Sequence, residues 1–301
     1  MAPRPSTFYA GVSIAAAVVT VGMKVFAWRI TGSIGLLSDA AESGVNLLAA
    51  LVALWALWRA GRPADATYPF GHTKAEYLSS GFEGLMILAA AVAIAVAAVE
   101  RLKYLRPIEN VGLGLGITVV ASAINGGVAV VLLRAGKRLR SMALRADAQH
   151  LLTDVWTSAG VLVGVLLVKV TGFFVLDPLV ALLVAANVVW TSVRLLQETG
   201  HGLLDRAIAD DEQAALAGLL ERFHERGVVI HGIRTRAAGP RRFVQMHVVV
   251  PGSWSVRQGH DLCEEIERDV TAALPGSTVT THLEPLEDSA SWDDWGLDRR
   301  E

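Results

Sequence analysis

Six apolar segments, each long enough to cross a lipid bilayer, constrain what this chain can fold into. They cover residues 8–30, 36–58, 77–100, 111–133, 148–170 and 176–196. A membrane-spanning helix needs about 20 mostly apolar residues. Hydrophobic residues make up 52% of the chain and charged residues 19%, a composition typical of integral membrane proteins. We therefore predict an α-helical membrane protein with six transmembrane helices.

Basic residues indicate how these segments are oriented. The loops after the second and fourth segments are rich in them, with Arg59, Arg62, Lys74, Arg134, Lys137, Arg138, Arg140 and Arg145. Cytoplasmic loops carry an excess of Lys and Arg. We expect a multi-pass protein of the cell inner (plasma) membrane, with both termini and the two basic loops in the cytoplasm.

A small domain of different composition follows the sixth segment. Apolar residues recur at helical spacing in 210–226 and 255–274, and alternate as in strands in 228–239, 243–250 and 277–285. This order predicts an α+β (α-β-β-α-β) cytoplasmic domain with helices on one face of a sheet. We predict a transmembrane domain at 1–204, this domain at 205–285 and an acidic, disordered tail at 286–301.

Polar residues inside the apolar segments are the strongest functional signal. Glu42 and Asn46 in the second segment, and His150 and Asp154 in the fifth, are each four residues apart and therefore share a helix face. A His–Asp pair alone favours a hydrogen bond that joins two helices. Two such pairs favour a four-ligand metal site, because facing carboxylates repel unless a cation or a proton lies between them. Asp39 shares the face of Glu42 and is either an accessory acid, such as a proton relay, or a solvated residue at the helix end.

Two further groups could bind metal outside the apolar segments. Asp65 and His72, in the loop after the second segment, form a looser candidate site, although each is also an ordinary loop residue. The C-terminal domain offers a denser set of possible ligands. Zinc and similar transition metals favour imidazole, and the set contains His231, His247, His260 and His282, together with the carboxylate of Glu284.

Several motifs in order resemble the cation diffusion facilitator family, and in particular its bacterial ferrous-iron/zinc efflux branch. They are "WRITGSIGLLSDAAES", "FGHTKAE", "RADAQHLLTD", "LLDRA" and "RTRAAGPRRFVQMH", and they span nearly the whole chain. The resemblance implies that Glu42, Asn46, His150 and Asp154 form the transport site. Family members usually have Asp or His in place of Glu42, and Asp in place of the neutral Asn46.

The resemblance also implies roles for the other groups. The family's interfacial site falls on Asp65, Tyr68 and His72, with Tyr68 standing where a histidine completes the set. Its cytoplasmic binuclear site falls on the four histidines and Glu284 named above. A structural interlock falls on Lys74 and Asp205, and the protein is expected to be a homodimer with metal at its cytoplasmic domains.

The leading hypothesis is an exporter that exchanges a divalent metal for protons by alternating access. Zn2+ is the preferred ion because His150 and the cytoplasmic imidazoles suit it, and Fe2+, Mn2+, Co2+ and Cd2+ are alternatives. A membrane-anchored metal sensor would not need Glu42 and Asp154 inside its helices. A membrane metallohydrolase would need a general base that the sequence does not offer, so we expect no enzyme activity. We expect no nucleic-acid partner.

Overall fold

The computed structural model describes the backbone of residues 5–31, 34–103 and 112–292. The side chains of residues 27, 28, 30–42, 45, 112–115, 118, 161, 165, 169 and 177 lie outside the described set. The described residues divide into two compact units, Met1–Gly200 and His201–Glu301.

The first unit is built from long helices. These are α1 (Pro5–Thr31), α2 (Ile34–Ala60), α3 (Ala75–Lys103), α4 (Gly112–Leu139), α5 (Met142–Thr171) and α6 (Leu176–Leu203). Among the described residues, five of these helices are long and apolar enough to cross a membrane, and the described part of α2, Asn46–Ala60, is a shorter apolar helix.

Helix α5 extends beyond its predicted apolar segment because local capping sets its ends. Helix α5 begins at Met142, whereas hydropathy places its start at residue 148. The Ser141 hydroxyl accepts a hydrogen bond from the backbone N–H of Leu144, which satisfies one of the unpaired donors of the first turn. The helix ends where Gly172 adopts φ 73°, a left-handed conformation that glycine tolerates.

Small residues let the helices of this unit approach closely. Helices α1, α2, α4 and α5 share a buried cluster in which alanines such as Ala129, Ala143 and Ala148 lie between leucines. Small side chains at such interfaces bring backbones together and allow polar groups to reach across. In α5, a Cβ atom added to Gly160 would lie 2.7 Å from Val184 of α6, so glycine is required for this contact.

The second unit contains three strands and two helices. These are α7 (Asp210–His224), β1 (Val229–Ala238), β2 (Arg241–Val250), α8 (Val256–Ala273) and β3 (Ser277–Pro285). The strand order is β1-β2-β3, with β1 antiparallel and β3 parallel to β2. Val244, Met246 and Val248 alternate along β2 and join residues of α7 and α8 in the core. This architecture confirms the predicted fold class.

The start of the predicted disordered tail is ordered. Ser289–Trp292 form a short 3-10 helix instead of a loose segment. The Ser291 hydroxyl donates to the carbonyl of Pro285, and the Trp292 indole N–H donates to the carbonyl of Leu286. These bonds fold the chain back onto the end of β3, a local effect that acidic composition does not reveal. Residues 293–301 of that predicted tail lie outside the described residues.

Candidate metal centres

A polar cluster joins α2, α4 and α5 inside the first unit. Asn46 donates a hydrogen bond from Nδ2 to Asp154 Oδ2 at 2.6 Å, and its Oδ1 lies 2.7 Å from His150 Nε2. The amide therefore connects both members of the α5 pair, which lie one turn apart on the same helix face. The structure brings together three of the four residues predicted to form the membrane site.

The other acids predicted for this site lie outside the described side chains. Glu42 and Asp39 belong to α2, one turn and two turns before Asn46. Their roles stay predictions.

Asn125 of α4 is a member of the cluster that the sequence reasoning missed. Its Nδ2 donates to the same oxygen, Asp154 Oδ2, at 3.2 Å. Asn125 is buried, and its Oδ1 has no hydrogen-bond partner among the described residues. An amide within an apolar helix was the available signal, because polar residues in membrane helices face the bundle interior.

In the loop between α2 and α3, Asp65 and His72 lie side by side. His72 Nε2 is 3.4 Å from Asp65 Oδ2, and the ring of Tyr68 lies 4.6 Å from the imidazole, centroid to centroid. The backbone N–H groups of Tyr68 and Thr67 both donate to Asp65 Oδ1. The bond from the Tyr68 N–H is the main reason that the pKa of the Asp65 carboxyl lies below its ordinary value.

The sheet of the second unit aligns three histidines in one row. His231 of β1 pairs with His247 of β2, which pairs with His282 of β3. Residues directly opposite each other on neighbouring strands point to the same face. Their rings are accordingly adjacent, with centroids 5.1 Å apart for His231–His247 and for His247–His282.

Glu284 completes this row because it lies two residues after His282 and so shares its face of β3. Its Oε2 is 3.2 Å from His231 Nε2 and 3.3 Å from His247 Nδ1, and its Oε1 is 3.5 Å from His282 Nε2. Ligand atoms of His231, His247 and Glu284 lie within 4.8 Å of one another. Two imidazoles and a carboxylate at this separation fit a divalent transition metal.

Two residues, His260 and Trp292, are placed differently from the sequence prediction. His260 is exposed in α8 and is not a member of the three-residue group. Trp292, assigned to the tail, stacks on His231 with ring centroids 5.8 Å apart and an interplanar angle of 14°. An aromatic residue within a disordered-looking acidic segment was the only signal for it.

The predicted interlock involves residues of both units. Lys74 precedes α3 in the first unit, and Asp205 belongs to the second unit. Asp205 adopts a φ of 57°. Its carboxylate forms a 3.0 Å salt bridge with Arg236 of β1. The interlock stays a prediction.

Together, a bundle of apolar helices with a buried polar cluster and a sheet domain with a histidine row define a membrane transporter for cations. Comparison with known proteins specifies the class. Residues 10–204 match the family model of the cation efflux transmembrane domain, and residues 208–286 match that of the cation efflux protein cytoplasmic domain. The chain belongs to the cation efflux (cation diffusion facilitator) family, a family of transporters and not of enzymes.

Individual relatives cover most of the chain. An uncharacterized transporter of Synechocystis sp. is 53% identical over 97% of this chain and 94% of its own length. The cation-efflux pump FieF of Yersinia enterocolitica is 31% identical over 87% of each chain. A solved structure, the metal-bound C-terminal domain of the CzcD transporter from Thermotoga maritima, is 31% identical and covers 26% of this chain and 92% of that chain, with a TM-score of 0.24.

Proposed function

We propose that this cation efflux transporter is an antiporter that exports a divalent transition metal, with zinc preferred, in exchange for protons. The observation that carries the proposal is the hydrogen-bonded group of Asn46, His150 and Asp154. It combines an imidazole nitrogen with amide and carboxylate oxygens inside membrane helices. Polar groups are energetically costly there, so their presence indicates a function. With Glu42, these residues would form the transport site.

The geometry of His150 supports a link between cation and proton. Asn46 Nδ2 donates to Asp154, so Asn46 Oδ1 faces His150 Nε2 and can only accept. The Nε2 atom must then carry the hydrogen. Only a nitrogen without a hydrogen can bind a metal. A cation that binds through Nε2 would therefore shift that hydrogen to Nδ1 of a neutral ring, or release a proton from a ring that carries hydrogens on both nitrogens, and its departure would allow the bond to Asn46 to form again.

Alternating access would carry the site between the two sides of the membrane. The ion would enter from the cytoplasm, exchange its water for the site ligands, and leave on the other side as protons replace it. We also propose that both termini and the basic loops are cytoplasmic, as the Lys and Arg distribution favours. Protons on the return path reduce the cost of moving buried carboxylates.

The donor set leaves more than one metal open. One imidazole with three oxygen donors is compatible with zinc, and the oxygen donors also suit Fe2+ and Mn2+. Co2+ and Cd2+ are further candidates. Asp65 and His72 would form a second, weaker site because Tyr68 offers a phenol where an imidazole would be a better ligand.

The histidine row is proposed as the metal site of the C-terminal domain. His231, His247 and Glu284 would be its ligands, with His282 and His260 as additional donors. We propose that the protein is a homodimer and that metal held there stabilises the pair of C-terminal domains. Lys74 and Asp205 are proposed to form the family's structural interlock.

Metal-driven proton flux in liposomes tests the transport site. We expect zinc to drive proton movement through the wild-type protein, and Asp154→Asn to abolish it because the substitution removes the charged ligand. Asp261→Asn, on the exposed face of α8, is the matched control and is expected to retain flux. Flux that survives Asp154→Asn would contradict the assigned site, and a panel of ions would rank selectivity.

A further inference from the structure

A second pair of acids, neither of them a proposed metal ligand, is buried in the helical unit. Glu83 of α3 is 0% exposed, and Asp147 of α5 is 3% exposed. Asp147 lies within electrostatic range of Glu83. The helices that carry them pack together, since α3, α5 and α6 share a buried cluster that includes Ile87, Ala146 and Val188.

The pair lacks the partners that ionised carboxylates need. Neither oxygen of Glu83 has a hydrogen-bond partner among the described residues, and neither does Oδ2 of Asp147. Buried polar groups are almost always hydrogen-bonded, and buried charges are almost always paired. Two ionised carboxylates that interact electrostatically also repel each other. Such a pair requires a positive ion or a proton.

Three basic side chains on the neighbouring helices have partners other than these two acids. Arg145 of α5 forms a 2.7 Å salt bridge with Glu198 of α6. Lys24 of α1 donates to Ser43 of α2 at 2.7 Å. On the described side chains of α2 the one charged group is Arg59, which lies over the ring of Tyr68 at the end of the helix. The remaining acid on this part of α3, Glu76, accepts from Ser141 at 2.5 Å.

A proton fits this pair better than a metal ion. Among the described residues, no third His, Cys, Asp or Glu joins Glu83 and Asp147 in a group that could hold a metal. A shared proton leaves the pair with one negative charge instead of two, which removes the repulsion between the carboxylates.

We propose that Glu83 and Asp147 form a proton-binding site, separate from the metal ligands, that supplies one of the protons exchanged for the transported cation. This inference rests on the antiport proposed above. Both acids lie on helices of the transport unit, and α5 carries Asp147 as well as His150 and Asp154. A movement of α5 against α3 would change the separation of the two carboxyl groups. The affinity of the pair for the proton would change as a result.

Infrared spectroscopy of the purified full-length protein tests proton binding directly. We expect a protonated-carboxyl C=O stretching band at neutral pH that disappears in Glu83→Gln, an isosteric change that keeps the volume. Glu100→Gln, an exposed acid on the same helix, is the matched control and is expected to keep the band. A band of equal intensity in Glu83→Gln would overturn the proposal.

Counting protons in liposomes tests the exchange. We expect Glu83→Gln to move one proton fewer per metal ion than wild type, or to lose coupled flux, whereas Glu100→Gln matches wild type. Metal transport with an unchanged proton count would overturn the proposal. If wild type shows no metal-driven proton flux, the antiport itself fails, and a band lost in Glu83→Gln would still show proton binding at this site.

Discussion

The side-chain amide of Asn46 on α2 donates a 2.6 Å hydrogen bond to the carboxylate of Asp154 on α5. The Oδ1 atom of the same amide lies 2.7 Å from His150 Nε2, so one neutral side chain connects two potential metal ligands. A carboxylate at this position could accept from His150 but could not donate to Asp154 unless it were protonated. The amide therefore gives Asp154 a hydrogen-bond donor that an ionised carboxylate at this position would lack.

Replacing Asn46 with Asp is expected to raise the number of protons exchanged per metal ion. Two carboxylates would then face each other, and in the absence of metal one of them would hold a proton to relieve repulsion. Metal binding would release that proton. The measurement is the ratio of proton to zinc flux in liposomes. Gln245→Glu, the same amide-to-carboxylate change at an exposed position of β2, is the control, and an unchanged ratio in Asn46→Asp would contradict the argument.

Removing the Asn125 amide is expected to weaken transport without abolishing it. Asn125→Ala deletes a hydrogen bond to the charged oxygen of Asp154, and such a bond contributes about 1.5 kcal/mol. We therefore expect a loss of about tenfold in the kcat/KM of metal transport. The matched control is Asn187→Ala, which removes an exposed amide. If both variants transport equally well, Asn125 has no part in orienting Asp154.

The sequence could predict the elements of this fold because their signals are local. Six apolar runs and the alternation in 228–239, 243–250 and 277–285 each reflect a periodicity that one segment carries alone. It could also predict that Asn46, His150 and Asp154 come together, because i, i+4 spacing fixes the helix face and ionisable groups avoid lipid.

Other parts of the sites depend on contacts between distant segments. Asn125 reaches Asp154 only because small residues bring α4 and α5 close, and no spacing within α4 indicates this contact. Trp292 joins the histidine row through a turn whose bonds run to Pro285 and Leu286. The partnerless state of Glu83 is likewise a property of packing, since a glutamate in an apolar segment can equally be paired.

Trp292 is expected to report metal binding at the histidine row. A metal on His231 would add positive charge to the ring that stacks on the indole, and this changes the indole fluorescence. Zinc titration of the full-length protein should alter the emission in wild type and not in Trp292→Phe. Trp254→Phe, in the loop before α8, is the control and should keep the response. A full response in Trp292→Phe would show that another tryptophan senses the metal.

The charge on Asp65 is expected to stabilise the loop before α3 over a defined pH range. The Tyr68 backbone N–H lowers the pKa of the Asp65 carboxyl in the folded protein from its ordinary 3.8. A lowered folded pKa contributes stability that is present above the unfolded value and is lost as the pH falls through the folded value. Asp65→Asn should therefore lower Tm slightly at neutral pH, and the difference from wild type should shrink only below pH 3.8.

Thermal unfolding of the detergent-solubilised protein across pH measures this difference in Tm, with Asp261→Asn as the exposed control. A Tm difference that is constant down to strongly acidic pH would show that the effect does not arise from the Asp65 charge.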